Sequence, residues 1–117
     1  MGLDFRQSNA HWSYSGFNRF RERLAKADGY NLRKMWELED SGKKSFKDLP
    51  MHDFYFHSDC DGVLTVRQLK VILPRFRELL KILDSEGIED DYDVWSGKIL
   101  ADDMEQCIVN REKLEFC

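Results

Sequence analysis

The sequence predicts a single, mostly helical α+β domain, with short strands at its two ends and a strand-turn-helix around the segment HSDCDG. Three observations carry this. Apolar residues recur at helical spacing over several long stretches, short alternating segments stand at both termini, and 117 residues suit one hydrophobic core. An apolar content of 42%, with eight Phe, four Tyr and three Trp, can fill such a core, while 34% charged residues keep the surface wet.

The opening GLDF alternates, with Leu3 and Phe5 on one face and Asp4 on the other, and the closing LEFC, Leu114 to Cys117, repeats the pattern. Two such strands can pair and bring the chain ends together. After a turn-rich AHWSYSG, residues Phe17, Phe20, Leu24 and Ala27 predict a helix from about Ser15 to Asp28, closed by Gly29 as its C-terminal cap. A second, short helix over Asn31 to Asp40 buries Leu32 and Trp36, with or without Met35 and Leu38; SGKKSFKDLP, Ser41 to Pro50, has loop composition. HDFYFH, His52 to His57, reads as a strand with Phe54 and Phe56 on one face.

Thr65 and Gln68 form a capping-box signature, Thr at the cap and Gln three residues on. From Leu69 the apolar residues Ile72, Leu73, Phe76, Leu79, Leu80 and Leu83 hold helical phase through Pro74, which predicts one long, kinked helix. DSEGIEDDYD, Asp84 to Asp93, places six acids and no base around a glycine and is expected to be a solvated connection. A last helix from about Trp95 to Arg111 buries Ile99, Leu100, Met104, Cys107 and Ile108.

The longest aliphatic run, Val71 to Leu73, is far short of the roughly 20 apolar residues that span a bilayer, and MGLDFRQ has no apolar signal core. The expected location is the cytosol, with no membrane partner. Arg6 stands where N-myristoylation would need Ser or Thr. Cys60, Cys107 and Cys117 cannot all pair within one chain and match no zinc pattern, so free thiols are expected. The net charge of −4 hides a polarity: residues 1–81 carry 15 Lys and Arg against 11 Asp and Glu, and residues 82–117 carry 3 against 11. Such halves can bind an anion at one end, repel nucleic acid at the other, or pair with each other.

Two segments concentrate chemistry. In HWSYSGFNRFRER, small polar Ser13 and Ser15 precede a helix whose free amides suit a phosphate, while His11, Trp12 and Tyr14 offer stacking surfaces and Arg19 and Arg23 share a face at i,i+4. An anion plus a flat ring describes a nucleotide-like ligand. The alternative reading makes Trp12 and Tyr14 core plugs and Ser13 or Ser15 an N-cap.

HSDCDGVLTVRQ, aligned on Gly62, would set His57, Asp59, Asp61, Thr65 and Gln68 at the ligand positions of a calcium loop. An imidazole and an amide stand where that loop needs carboxylates, so at most a weak divalent-metal site at His57, Asp59 and Asp61 is expected, and no cofactor. The structural alternative is a pair of Asx turns ahead of a helix N-terminus.

Within that segment, His57, Asp59, Asp61 and Gly62 resemble the H-x-D-x-D-G motif of the DHH-type phosphoesterases, in which these residues hold catalytic manganese; no Asp-His-His segment accompanies it. More extensively, MGLD, YSGFNRFR, HSDCDG and the terminal LEF together resemble a family of small phage and bacterial proteins, over roughly residues 1–24, 57–80 and 104–116. The resemblance implies a phage or prophage origin, hence host cytoplasm, and no particular activity.

The leading expectation is thus a non-enzymatic, phage-type binding protein, an anti-defence sponge that sequesters a nucleotide-derived signalling molecule at His11, Trp12, Ser13, Tyr14, Ser15, Arg19 and Arg23, and that forms homo-oligomers to enclose it. A second expectation is an inhibitor that binds a host defence protein through the acidic Glu86 to Asp93. A third is a metal-dependent phosphoesterase at His57, Asp59 and Asp61. The acidic chain carries no recognised nucleic-acid motif, so direct nucleic-acid binding is not expected.

Overall fold

The two chain ends meet. In a computed structural model, which describes residues 2–117, strand β1 (Gly2–Phe5) pairs antiparallel with β2 (Ser8–Ser13) and is joined on its other side to the C-terminus, Asp4 and Cys117 exchanging backbone hydrogen bonds of 3.1 and 2.8 Å. A bridge between Phe5 and Phe116 links this hairpin to a second antiparallel pair, β3 (Val63–Leu64) with β4 (Leu114–Glu115). The alternation of GLDF and LEF is the cause: Leu3, Phe5, Leu114 and Phe116 all turn inward and are buried.

Helices supply the rest. Helix α1 (Tyr14–Ala27) starts at Ser13, whose hydroxyl accepts from the Gly16 amide, and ends in a Schellman turn at Gly29, φ 91°, with the Tyr30 amide reaching the Ala25 carbonyl. Helix α2 (Leu32–Asp40) is capped by Asn31. A short helix, α3 (His52–Tyr55), follows the loop of residues 41–51. Helix α4 (Val66–Asp84) begins at the capping box of Thr65 and Gln68 and runs unbroken through Pro74; helix α5 (Tyr92–Val109) packs along it. Close approach there requires Gly97, since a Cβ would lie 2.6 Å from Leu80 Cδ2 and 3.1 Å from Phe20 Cζ. None of the described helices is long and apolar enough to cross a membrane.

Four expectations change. HDFYFH is not a strand but contains α3, because the buried residues are Met51, Phe54 and Tyr55, a helical spacing that the Phe54/Phe56 alternation masks. The turn-rich AHWSYSG is mostly strand β2, with Ala10 and Trp12 inward and His11 and Ser13 outward. The acidic 84–93 connection is not simply solvated, for Glu86, Asp91 and Asp93 are all held by Arg23. Helix α5 also starts earlier than expected, at Tyr92, and leaves Ile99 and Ile108 only half-buried.

The closure of the ends makes a stability prediction. Phe116 packs edge-on against Phe5 at 4.9 Å and lies 3.9 Å from the His57 ring. Phe116→Ala should cost about 3–5 kcal/mol in urea unfolding; an unchanged midpoint would show that the terminal pairing carries no stability.

Candidate functional site

Strand β2 runs into α1, and its alternation decides the fate of the aromatic residues there. Trp12 is 2% exposed, stacked on Phe20 at 4.7 Å, and its indole N–H donates to Asp93 Oδ1 at 3.1 Å. It is a core residue, so the expected stacking surface is closed off. Ser13 caps the helix, Tyr14 is half-buried, and His11 lies outside with Nδ1 2.8 Å from Asp4 Oδ1. Arg23 is fully engaged, bidentate to Asp91 at 2.9 Å twice over, with Asp93 at 2.9 Å and Glu86 at 3.2 Å as further partners. Of the seven expected ligand residues, only the side chains of Ser15 and Arg19 stand exposed and uncommitted among the described residues. The structure therefore does not bring residues 11–23 together as a ligand pocket.

The HSDCDG segment is a braced turn. The His57 ring spans it, Nδ1 2.9 Å from the Ser58 carbonyl and Nε2 2.9 Å from the Val63 carbonyl. Both ring nitrogens are therefore turned to carbonyl oxygens within the turn, not to the Asp59 or Asp61 carboxylates. Gly62, φ 88°, makes the bend, and a Cβ there would lie 3.2 Å from the same ring. Asp59 is half-buried and Asp61 exposed, and no group of three His, Cys, Asp or Glu among the described residues could hold a metal ion. His57, Asp59 and Asp61 thus do not fit the expected metal site in this geometry.

What positions the turn is Arg21, the last residue of YSGFNRFR, which is not among the expected site residues although it shares the buried helical phase of Phe17, Phe20 and Leu24. Its side chain is buried and donates from Nη1 to the carbonyls of Phe54, Tyr55 and His57, the last at 2.6 Å, and from Nη2 to Asn18 Oδ1 at 2.5 Å. Burial lowers its pKa to about 10, against the raising effect of the nearby Asp59 charge, so it stays cationic at neutral pH.

The arrangement with free chemistry lies at the acidic end. Arg23 fixes Glu86, Asp91 and Asp93, and the hydrogen bond to Arg23 holds Asp91 below the usual carboxylate range. Glu89 and Asp90 between them make no ion pair among the described residues, and Asp90 takes a positive φ of 53°. Next to them Tyr92 and Trp95 are 46% and 60% exposed, with ring centroids 5.6 Å apart. Together with Asp90 and Asp91 these rings line a surface cleft of about 270 Å³. The signal is present in the sequence, two aromatics at i,i+3 directly after an acidic run, but the run itself reads as plain solvated loop.

No protein-family model matches the chain, and neither a curated protein nor a solved structure does.

Two measurements test this geometry. Arg21→Met leaves the carbonyls of Phe54 and His57 without their donor, that of Tyr55 keeping the Trp36 indole N–H at 3.0 Å, and should cost about 3 kcal/mol, with Arg21→Lys recovering only part because an ammonium lacks the planar fork; full stability in both variants would remove Arg21 from its bracing role. Asp91→Asn should cost about 1–2 kcal/mol at neutral pH. Because the folded pKa of Asp91 is depressed, its contribution is complete above the unfolded value of about 3.9 and fades as pH falls through the folded one. The stability gap between wild type and D91N should be constant from neutral pH to about 5 and shrink below about 4; a gap independent of pH would contradict the assignment.

Proposed function

We propose that the protein is a non-enzymatic binding module that docks a basic segment of a partner protein on the acidic, aromatic surface of residues 86–95. The observation that carries this reading is the exposure of Tyr92 and Trp95, in a chain whose other aromatic side chains are all buried or half-buried. Exposed Trp and Tyr beside unpaired carboxylates suit a guanidinium or ammonium group, which stacks on the ring faces while the carboxylates neutralise it. Asp91 and Asp93 are held in place by Arg23, so the surface is ordered before a partner arrives, which lowers the entropy cost of binding. The resemblance to phage-encoded chains makes a host defence protein, with a basic nucleic-acid surface, the partner we favour.

Capture of a nucleotide by residues 11–23 has less support, because the Trp12 face is inside the core and Arg23 is occupied by acids.

The test uses calorimetry with an arginine-rich peptide as the probe. Trp95→Ala should weaken binding by about 2 kcal/mol, as truncating a hot-spot aromatic does. Glu89→Gln with Asp90→Asn should weaken it further and flatten its salt dependence, and Asn tolerates the positive φ at 90. None of these exposed positions should shift the unfolding temperature by more than a degree or so. Binding indifferent to all three substitutions would sink the reading.

A further inference from the structure

A second surface has the opposite character. A cleft of about 280 Å³ opens between the segment that precedes α3 and the first turns of α4, with Lys47 and Arg67 at its rim and Leu49, Pro50, Val71 and Ile72 among its walls. Val71, on α4, is 55% exposed there.

The polar groups on the inner wall are already satisfied. His52 sits between two carboxylates, Nε2 2.9 Å from Glu39 Oε2 and Nδ1 2.8 Å from Asp53 Oδ1. The other Glu39 oxygen accepts from the Phe46 amide at 2.8 Å, and the other Asp53 oxygen accepts from Gln68 Nε2 at 3.1 Å. The Phe46 amide first, and His52 next, hold Glu39 below the usual carboxylate range. Gln68 Oε1 in turn accepts from the Thr65 amide, and the Thr65 hydroxyl from the Gln68 amide, so these two groups at the start of α4 are also taken. Of the lining residues only Asp53 is acidic, its side chain 44% exposed, against two cations, Lys47 and Arg67, that make no ion pair among the described residues. The cleft combines a fixed wall, an apolar lining and two free cations.

We propose that this cleft binds a small organic anion: a carboxylate or phosphate monoester seated between Lys47 and Arg67, with an apolar body laid against Leu49, Pro50, Val71 and Ile72. Charge selects the head group, since Lys47 and Arg67 outnumber the single lining carboxylate, Asp53, which is already turned to His52 and Gln68. The aliphatic lining selects the body, because a fully hydrated anion gains nothing from covering it. The volume admits a ligand of one ring and one acid group, at the lower limit of small-molecule sites of about 300 Å³. The inference stands apart from the acidic surface, and either can fail without the other.

The experiment is an amide-shift NMR titration of the full chain with phenyl phosphate, phenylacetate, inorganic phosphate and benzyl alcohol. At least one of the two aromatic anions should give saturable shifts centred on Leu49, Arg67, Val71 and Ile72; which of them binds distinguishes a phosphate from a carboxylate ligand. Inorganic phosphate and benzyl alcohol should each bind about tenfold more weakly or worse, because each offers half of the recognition. Lys47→Gln combined with Arg67→Gln should lose about tenfold in affinity at an unchanged unfolding temperature, and Val71→Asp should abolish binding by placing a negative charge on the wall. The proposal is overturned if neither aromatic anion saturates, if inorganic phosphate or benzyl alcohol binds as well, or if the double variant binds like wild type.

Discussion

The buried guanidinium of Arg21 is the constraint on which the middle of the chain depends. It enters from α1 and gathers the carbonyls of Phe54, Tyr55 and His57, the end of α3 and the start of the HSDCDG turn. Those carbonyls have no helical partner, since α3 is only four residues long; the Trp36 indole N–H also reaches that of Tyr55, and Arg21 alone serves the other two. A cation suits that end of a helix, and the planar fork reaches several acceptors at once where an ammonium would not. The guanidinium also lies over the Phe17 ring at 4.7 Å and near the Trp36 ring at 5.6 Å, so its faces meet aromatic surface and its two Nη groups meet oxygen, while the buried Nε–H has no partner among the described residues. Burying this charge is costly, as its lowered pKa shows, and no carboxylate hydrogen-bonds to it among the described residues. Carbonyl dipoles and aromatic quadrupoles offset the cost instead.

A second arginine, two residues further along α1, organises the charge polarity of the chain. Arg23 carries the basic first part of the sequence to the acidic last third and holds three of its carboxylates. Arg77 does the same more loosely with Asp102 and Glu105, and Arg6 with Glu115. Much of the polarity read from the sequence is thus internal pairing. Among the charges that escape pairing, two sets stand beside apolar area: Glu89 and Asp90 precede the exposed rings of Tyr92 and Trp95, and Lys47 and Arg67 line a largely apolar cleft. The two surfaces carry opposite charge and each joins it to apolar area, the combination that distinguishes a recognition surface from a merely soluble one.

The parts of this fold that are legible in the sequence are those governed by local chemistry. Ser13, Asn31 and Thr65 cap helices as their types require, Gly29 closes α1, and the Leu/Ile/Phe phase of α4 survives Pro74 because a proline on the exposed face breaks one hydrogen bond without disturbing the buried stripe. The parts that mislead are those where long-range packing chooses between two local options. HDFYFH supports either period, and the burial of Met51 with Tyr55 selects the helix. Trp12 can serve as plug or platform, and strand pairing of residues 8–13 with the N-terminus turns it inward. Arg21 and Arg23 look alike in the sequence; they differ because 21 falls on the apolar stripe of α1 and 23 beside it, which sends one to backbone carbonyls and the other to acids.

The HSDCDG turn shows how far residue type alone can mislead. An imidazole, two carboxylates and a glycine are the right atoms for a cation, but ligation needs lone pairs that converge. Here the His57 nitrogens point along the chain to the carbonyls of Ser58 and Val63, the Gly62 carbonyl accepts from the Phe116 amide, and the ring packs on Phe116. The same residues instead pin the C-terminal strand, and through it β1, to the turn that Arg21 holds from the other side. A lysine or glutamine at 57 could not bridge two carbonyls on opposite sides of so tight a bend with a rigid planar ring, and a Cβ at 62 would crowd that ring at 3.2 Å in a backbone conformation that favours glycine. Histidine and glycine in this motif follow from the geometry of the turn itself, with the aspartates contributing charge at its rim, Asp59 toward Arg21 and Asp61 toward solvent.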